Sequence, residues 1–194
     1  MHDARWLAIL LSAALTDNIM LSRFLGVCPF VACSRRMDTA LGLGLAVTFV
    51  TACTAALNNL LHRLVLVPLK LEHLELLLFI AVIAAFVQLI EIVIERFAPR
   101  LFHALGIFLP LIAVNCAILG TSLFMVMDDL SFLQSLAFGV GSGAGWMLAI
   151  LVMAGLRERV VEERVPAPFR GVPVALILTG ILAMIFRRFV DLGM

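Results

Sequence analysis

Charge is what this chain has least of. Only 14% of its 194 residues are Asp, Glu, Lys or Arg, where soluble domains carry about 25%. Hydrophobic residues make up 63%, and the mean hydropathy is +1.15. The chain therefore reads as an integral membrane protein. Nearly every residue lies in or beside an apolar run, which leaves no room for a separate soluble domain of about 50 residues. The net charge is +1 and the basic residues fall in short loops, so no nucleic-acid surface is expected and the lipid bilayer is the expected environment. A CxxC pair is missing too. The four cysteines, Cys28, Cys33, Cys53 and Cys116, are spaced too widely for a local zinc or thioredoxin-like motif. Nor is there a phosphate cradle: GVGSGAG at 139–145 sits inside an apolar run and lacks both the preceding strand and the lysine such a loop needs. Its glycines, with Gly42 and Gly44, read as close helix packing. No catalytic triad is supported.

What the chain does have is an internal echo. FLGVCPF at 24–30 carries Cys28, and IFLPLIAVNCAILG at 107–120 carries Cys116. ALGLG at 40–44 returns as AFGVG at 137–141, and Val67-Pro68 as Val165-Pro166, in the same order. Such duplication is the mark of membrane folds built from two repeats, whose functional groups lie where the repeats meet. One membrane domain over 1–194 is expected, with repeat one at about 1–97 and repeat two at about 98–194. On this reading Cys28 and Cys116 are equivalent positions.

A helix needs about 20 apolar residues to cross about 30 Å of hydrocarbon. Six segments qualify: Trp6 to Cys33, Thr39 to Leu61, Leu74 to Ile94, Leu101 to Met125, Phe132 to Leu156 and Val172 to Phe189. The expected fold is all-α, with six transmembrane helices arranged as two inverted three-helix repeats, because an odd number of crossings brings the second repeat in from the opposite face. The first segment is punctuated by Asp17, Asn18, Ser22, Arg23, Gly26 and Pro29, and the fourth by Gly106, Pro110, Asn115 and Gly120. Both are expected to be broken helices, whose freed backbone groups must be buried in protein or line a cavity. The run from Trp6 to Leu15 lacks a clear cleavage site and continues toward the Cys28 motif, so it is not expected to be a signal peptide. One set of loops carries Arg5, Arg63, Lys70, Arg187 and Arg188; the other carries Arg35, Arg36, Arg96, Arg100, Arg157, Arg159, Arg164 and Arg170. The excess in the second set makes it cytoplasmic and both termini external.

Cys33 and Cys53 read as small buried hydrophobes. Cys28 and Cys116 admit that reading too, as well as a disulfide between them, or ligation of a soft metal or iron-sulfur cluster. A 2Fe-2S cluster usually takes four thiolates, so two would have to come from another subunit. Backbone amides freed near Gly26 and Asn115 are candidate donors to the sulfurs. Asp17 in mid-segment is either an ion or proton site, with Asn18 and Asn115 as further polar candidates, or a structural residue neutralised by Arg23 or capping a break. Glu91 reads as interfacial, Asp128 and Asp129 as an external loop, and His62, His73 and His103 as residues of span ends without a ligand role.

LSRFLGVCPF at 21–30, LGIFLPLIAVNCAILG at 105–120, FGVGSGAGWMLAI at 138–150 and VPAPFRG at 165–171 together resemble the RnfA/NqrE family, subunits of the Rnf electron-transport complex and of the sodium-pumping NADH:quinone oxidoreductase, over essentially the whole length. CPF, VPLKLEHLE and VPAPFRG are similar to the RnfA branch, GSGAGWMLAI to NqrE, and Asp17-Asn18 lies between; RnfA is favoured. The resemblance implies a non-catalytic electron-relay subunit of an ion-translocating ferredoxin:NAD oxidoreductase in the bacterial inner membrane. It implies a 2Fe-2S cluster ligated by Cys28 and Cys116 and shared with a homologous subunit of opposite topology (RnfE-like), beside further Rnf subunits of the B, C, D and G types. The alternatives are an NqrE-type subunit, a non-redox inverted-repeat transporter, or a scaffold for peripheral subunits.

Overall fold

The computed structural model describes residues 3–70, 72–97, 109–160 and 165–193. Leu101 to Phe108, where the fourth segment was expected to begin, lie outside the described residues, as do Gly106, Arg100, His103 and Arg164. The described residues are helical and contain no strand. In chain order the helices are α1 (Asp3–Leu11), α2 (Ile19–Arg23), α3 (Val27–Cys33), α4 (Met37–Leu61), α5 (Glu75–Phe97), α6 (Leu109–Ala113), α7 (Cys116–Met127), α8 (Phe132–Arg159) and α9 (Val172–Gly193). A π-turn over Ser12–Thr16 follows α1, and another over His62–Leu66 extends α4.

Among the described residues, four stretches are long and apolar enough to cross a membrane: Met37–Leu66, Glu75–Val93, Pro110–Met127 and Phe132–Arg159. The outward faces are apolar as well, with Leu64, Leu77, Ile92 and Met184 each more than 60% exposed, a surface that suits lipid and not water. The first segment is no single rod. It is cut into α1, the π-turn, α2 and α3, while α9 is a continuous helix of 22 residues. Ser22 and Arg23 do not interrupt it; they lie inside α2. Pro29 is no breaker either, because it is the third residue of α3, within the first turn, where a missing N–H costs no helical bond. Gly120 likewise lies within α7.

α8 is the post of the fold. More than half of its apolar window is buried, 56% against 17% for α5, and its glycines explain why. Residues four apart share a helix face, so the glycine ladder divides into two. Gly139 and Gly143 face α4, where a Cβ on Gly143 would lie 2.6 Å from the Cα of Thr48. Gly141 and Gly145 face α1 and its π-turn, where a Cβ on Gly145 would lie 2.7 Å from the Ala14 carbonyl oxygen. With no hydrophobic drive between helices in lipid, this backbone approach supplies dispersion contacts that larger residues would prevent.

The loops sort to two ends. Arg63 donates to the Leu130 carbonyl at 2.9 Å and lies 3.7 Å from Asp129. At the opposite end of α8, Arg157 donates to Val31 O and Ser34 Oγ, both at 2.9 Å, and Glu158 accepts from the N–H of Met37 at 3.0 Å. Arg63 and Arg157, one from each group of loops, thus lie at opposite ends of α8. Replacing Gly143 with Ala is expected to lower stability by about 1–3 kcal/mol through overpacking. Gly180→Ala, where a Cβ meets nothing within 4 Å, should be neutral. Thermal unfolding of both detergent-solubilised variants checks this, and equal midpoints would contradict it.

Candidate functional site

Two helix breaks of the same design frame the candidate site. In each, one turn residue and one extended asparagine separate two helical pieces: Asp17-Asn18 before α2, and Val114-Asn115 before α7. The asparagine caps the new helix. Asn18 Oδ1 accepts from the N–H groups of Met20 at 3.1 Å and Leu21 at 3.4 Å, and Asn115 Oδ1 accepts from Ala117 N–H at 3.0 Å. Only a short polar side chain can take up these orphaned amides without leaving the helix start. Asn18 goes further. Its Nδ2 donates to Gly145 O at 2.7 Å and to Ala14 O at 3.3 Å, so a carboxamide only 1% exposed has all four hydrogen-bonding positions filled.

Each cysteine stands at a helix start that follows an irregular point. Cys116 follows Asn115 directly as the first residue of α7, and Cys28 is the second residue of α3, after the Gly26 turn. α2 ends on Phe24 and the chain turns at Gly26, both left-handed, with φ of 55° and 79°. At that turn the Gly26 N–H donates to Cys116 Sγ at 2.9 Å, and Cys28 lies two residues further along.

The Gly26 turn is tightly walled. Its carbonyl accepts from Trp146 Nε1 at 3.2 Å, and a Cβ there would lie 2.7 Å from that nitrogen, 2.9 Å from Ala117 Cβ and 2.9 Å from Asn115 Oδ1. Sequence reasoning passed over Trp146. The available signal was its position: a tryptophan in the middle of an apolar glycine-rich helix, away from the interfacial belts where tryptophans collect, must find a partner for its N–H.

All four cysteines are free thiols, so no disulfide joins Cys28 to Cys116. Cys28 is exposed on this chain, Cys116 half-buried and Cys33 buried. Among the described residues, no group of three or more His, Cys, Asp or Glu could hold a metal ion. Two thiols beside one turn, one facing outward, therefore suit a soft metal group whose remaining ligands come from another chain.

Asp17 is exposed and lines two cavities. One, of about 230 Å³, is bounded also by Thr16, Asn18, Ser22 and Arg187; the other, of about 320 Å³, by Ser12 and Asp128. The ion pair considered for it does not form: Arg23 stacks over the Phe124 ring at 3.9 Å, a cation–π contact, and no described basic group lies within 4 Å of Asp17. Glu91 is half-buried on α5 and His73 exposed, while the His62 ring lies 6.5 Å from that of Phe79.

Apolar helices long enough to span a bilayer, two capped breaks and a pair of free thiols at one turn define a multi-pass membrane subunit. The family described as Rnf-Nqr subunit, membrane protein, matches residues 6–192, and the chain belongs to it. The chain is 47% identical over 186 residues to the A-type subunit of the ion-translocating oxidoreductase complex of Syntrophotalea carbinolica, covering 96% of each chain. It is 45% identical over 190 residues to the E-type subunit of the Na(+)-translocating NADH-quinone reductase of Serratia proteamaculans, covering 95% of this chain and 96% of that one. To the A-type subunit of the Na(+)-translocating ferredoxin:NAD(+) oxidoreductase complex of Acetobacterium woodii it is 43% identical over 181 residues, 93% of this chain and 94% of that one.

Asn18→Ala removes a buried cap and orphans several backbone groups, and is expected to cost about 1–3 kcal/mol. Ser131→Ala, at the exposed cap of α8, should cost less because water can replace the lost bond. The order of the two unfolding midpoints in detergent is the check.

Proposed function

We propose that this chain is an electron-relay subunit of an Rnf-type ion-translocating ferredoxin:NAD oxidoreductase, contributing Cys28 and Cys116 to a 2Fe-2S cluster. The observation that carries this reading is the Gly26 N–H donating to Cys116 Sγ at 2.9 Å, beside the turn that leads to Cys28. A cluster held there supplies one-electron transfer inside the membrane. The chain's own part is to present two sulfurs from the first turns of α3 and α7. The half-buried Cys116 and exposed Cys28 leave room for two further thiolates from a partner, a homologous RnfE-like subunit of opposite topology. The B-, C-, D- and G-type Rnf subunits complete the electron path, and nicotinamide chemistry belongs to them.

In this reading the chain crosses the bacterial inner membrane six times as two inverted repeats, with both termini periplasmic. The excess of arginine at the end holding Ser34 and Arg157, the helix starts after a break that carry Cys28 and Cys116, and the 22 residues of α9 support it. The relative from Serratia proteamaculans, named as part of a Na(+)-translocating NADH-quinone reductase, favours a second reading. In it the same relay serves an NqrE-type complex, where the electrons come from NADH.

Cys28→Ser and Cys116→Ser are each expected to abolish the cluster's EPR signal in the purified complex and to remove about two iron atoms and two acid-labile sulfides per complex, the content of one such cluster. Iron, sulfide and signal retained in full by both variants would refute the ligand assignment.

A further inference from the structure

We propose that Trp146 is a positioning residue for the Cys116 sulfur, acting through the Gly26 peptide. Trp146 is fully buried and 120 residues from Gly26 in sequence, yet its indole N–H donates to the Gly26 carbonyl at 3.2 Å. The same residue's N–H donates to Cys116 Sγ at 2.9 Å. Gly26 is thus held from both sides, by α8 at its oxygen and by α7 at its nitrogen. Its left-handed φ of 79° and the walls at Trp146, Ala117 and Asn115 leave this glycine no other seat. Free to rotate, a left-handed glycine would populate many conformations in which its N–H misses the sulfur. The Trp146 bond selects the one in which it does not.

A second observation lies at the same wall. Asn115, 3% exposed, turns its Oδ1 to the Ala117 amide and leaves its Nδ2 buried without a hydrogen-bond partner. A buried amide donor left unpaired costs free energy, and this one belongs to the residue that precedes Cys116 and sets its Oδ1 against Gly26. The Gly26 N–H is the donor that meets the Cys116 sulfur, and the unpaired Asn115 Nδ2 is a second buried donor on the neighbouring residue. Hydrogen bonds to thiolate ligands raise the reduction potential of an iron-sulfur centre, because they stabilise the more negative reduced state. That consequence rests on the ligand reading above; the positioning role does not.

The test replaces Trp146 by Phe in the purified complex and follows two quantities. Amide hydrogen exchange over the segment containing Gly26 needs no metal. Loss of the indole donor is expected to speed exchange at Gly26 by about tenfold, the equivalent of one lost hydrogen bond. Cys116→Ala, which removes the acceptor, should speed the same amide, and the double variant should add little to either alone. The second quantity is the midpoint potential of the cluster, expected to fall in Trp146→Phe with the EPR signal retained. If Trp146→Phe does not fold, site-specific benzothienylalanine at position 146 keeps the ring shape and lacks only the N–H. Unchanged Gly26 exchange in a folded variant overturns the positioning role. Accelerated exchange with an unmoved potential overturns its influence on the cluster, and a cluster that survives Cys116→Ser overturns the ligand reading while leaving the exchange result to decide on Trp146.

Discussion

Where a helix breaks inside an apolar medium, the amides and carbonyls it releases have no water to turn to, and each one left unpaired costs several kcal/mol in hydrocarbon. Everything particular about this chain follows from how it meets that demand at two places. Asn18 and Asn115 restart the helix by folding a carboxamide back onto the next turn. Gly26 adds a third irregular point, and it is satisfied across the fold, with its carbonyl bonded to α8 and its amide to a cysteine on α7. Breaks are thus admitted where partners from other helices are already in place.

α8 makes this possible because it is both smooth and polar at the same level. Its glycines bring the backbones of α4 and α1 into contact, and close approach exposes the Gly145 carbonyl to the Asn18 side chain. One residue on, Trp146 projects its indole N–H to Gly26. Packing and hydrogen bonding are here one event: a larger residue at Gly145 would push the π-turn away and take the Asn18 donor out of reach. The same helix is then anchored at its far end by Arg157 and Glu158 on the segment that joins α3 to α4. The irregular stretch from Asp17 to Cys33 is held by α8 near Asn18 and Gly26 and again beyond Val31.

The thiols of Cys28 and Cys116 stand at the starts of two helices, one exposed and one half-buried. Under the proposed ligand role a rigid frame matters, because the distance between two sulfurs set on separate helices would otherwise vary with every motion of the break. The family to which the chain belongs, and the oxidoreductase complexes named for its relatives, accord with a subunit whose chemistry completes itself only in an assembly.

Much of this was legible in the chain. The scarcity of charge and the apolar runs settled the membrane class, since no soluble fold could bury them. Asn18, Gly26 and Asn115 inside apolar segments marked the broken helices, because each caps a helix or turns the chain for local steric reasons, whereas Pro29 and Gly120 proved to lie within helices. The motifs around Cys28 and Cys116 pointed to the family. Other features were not legible, for one shared reason: they depend on residues 90 to 127 positions apart. Local pattern did not reveal that the Asn18 side chain reaches the Gly145 carbonyl. Nor did it reveal that Arg23 stacks on Phe124 and leaves Asp17, or that Trp146 governs the Gly26 turn. Residue order was enough to assign the membrane class and to mark where the apolar segments break, because propensity and hydropathy act over a few neighbouring residues. Which distant group satisfies each break was settled only in the packed fold, because helices must first come together to bring their unpaired atoms within hydrogen-bonding distance.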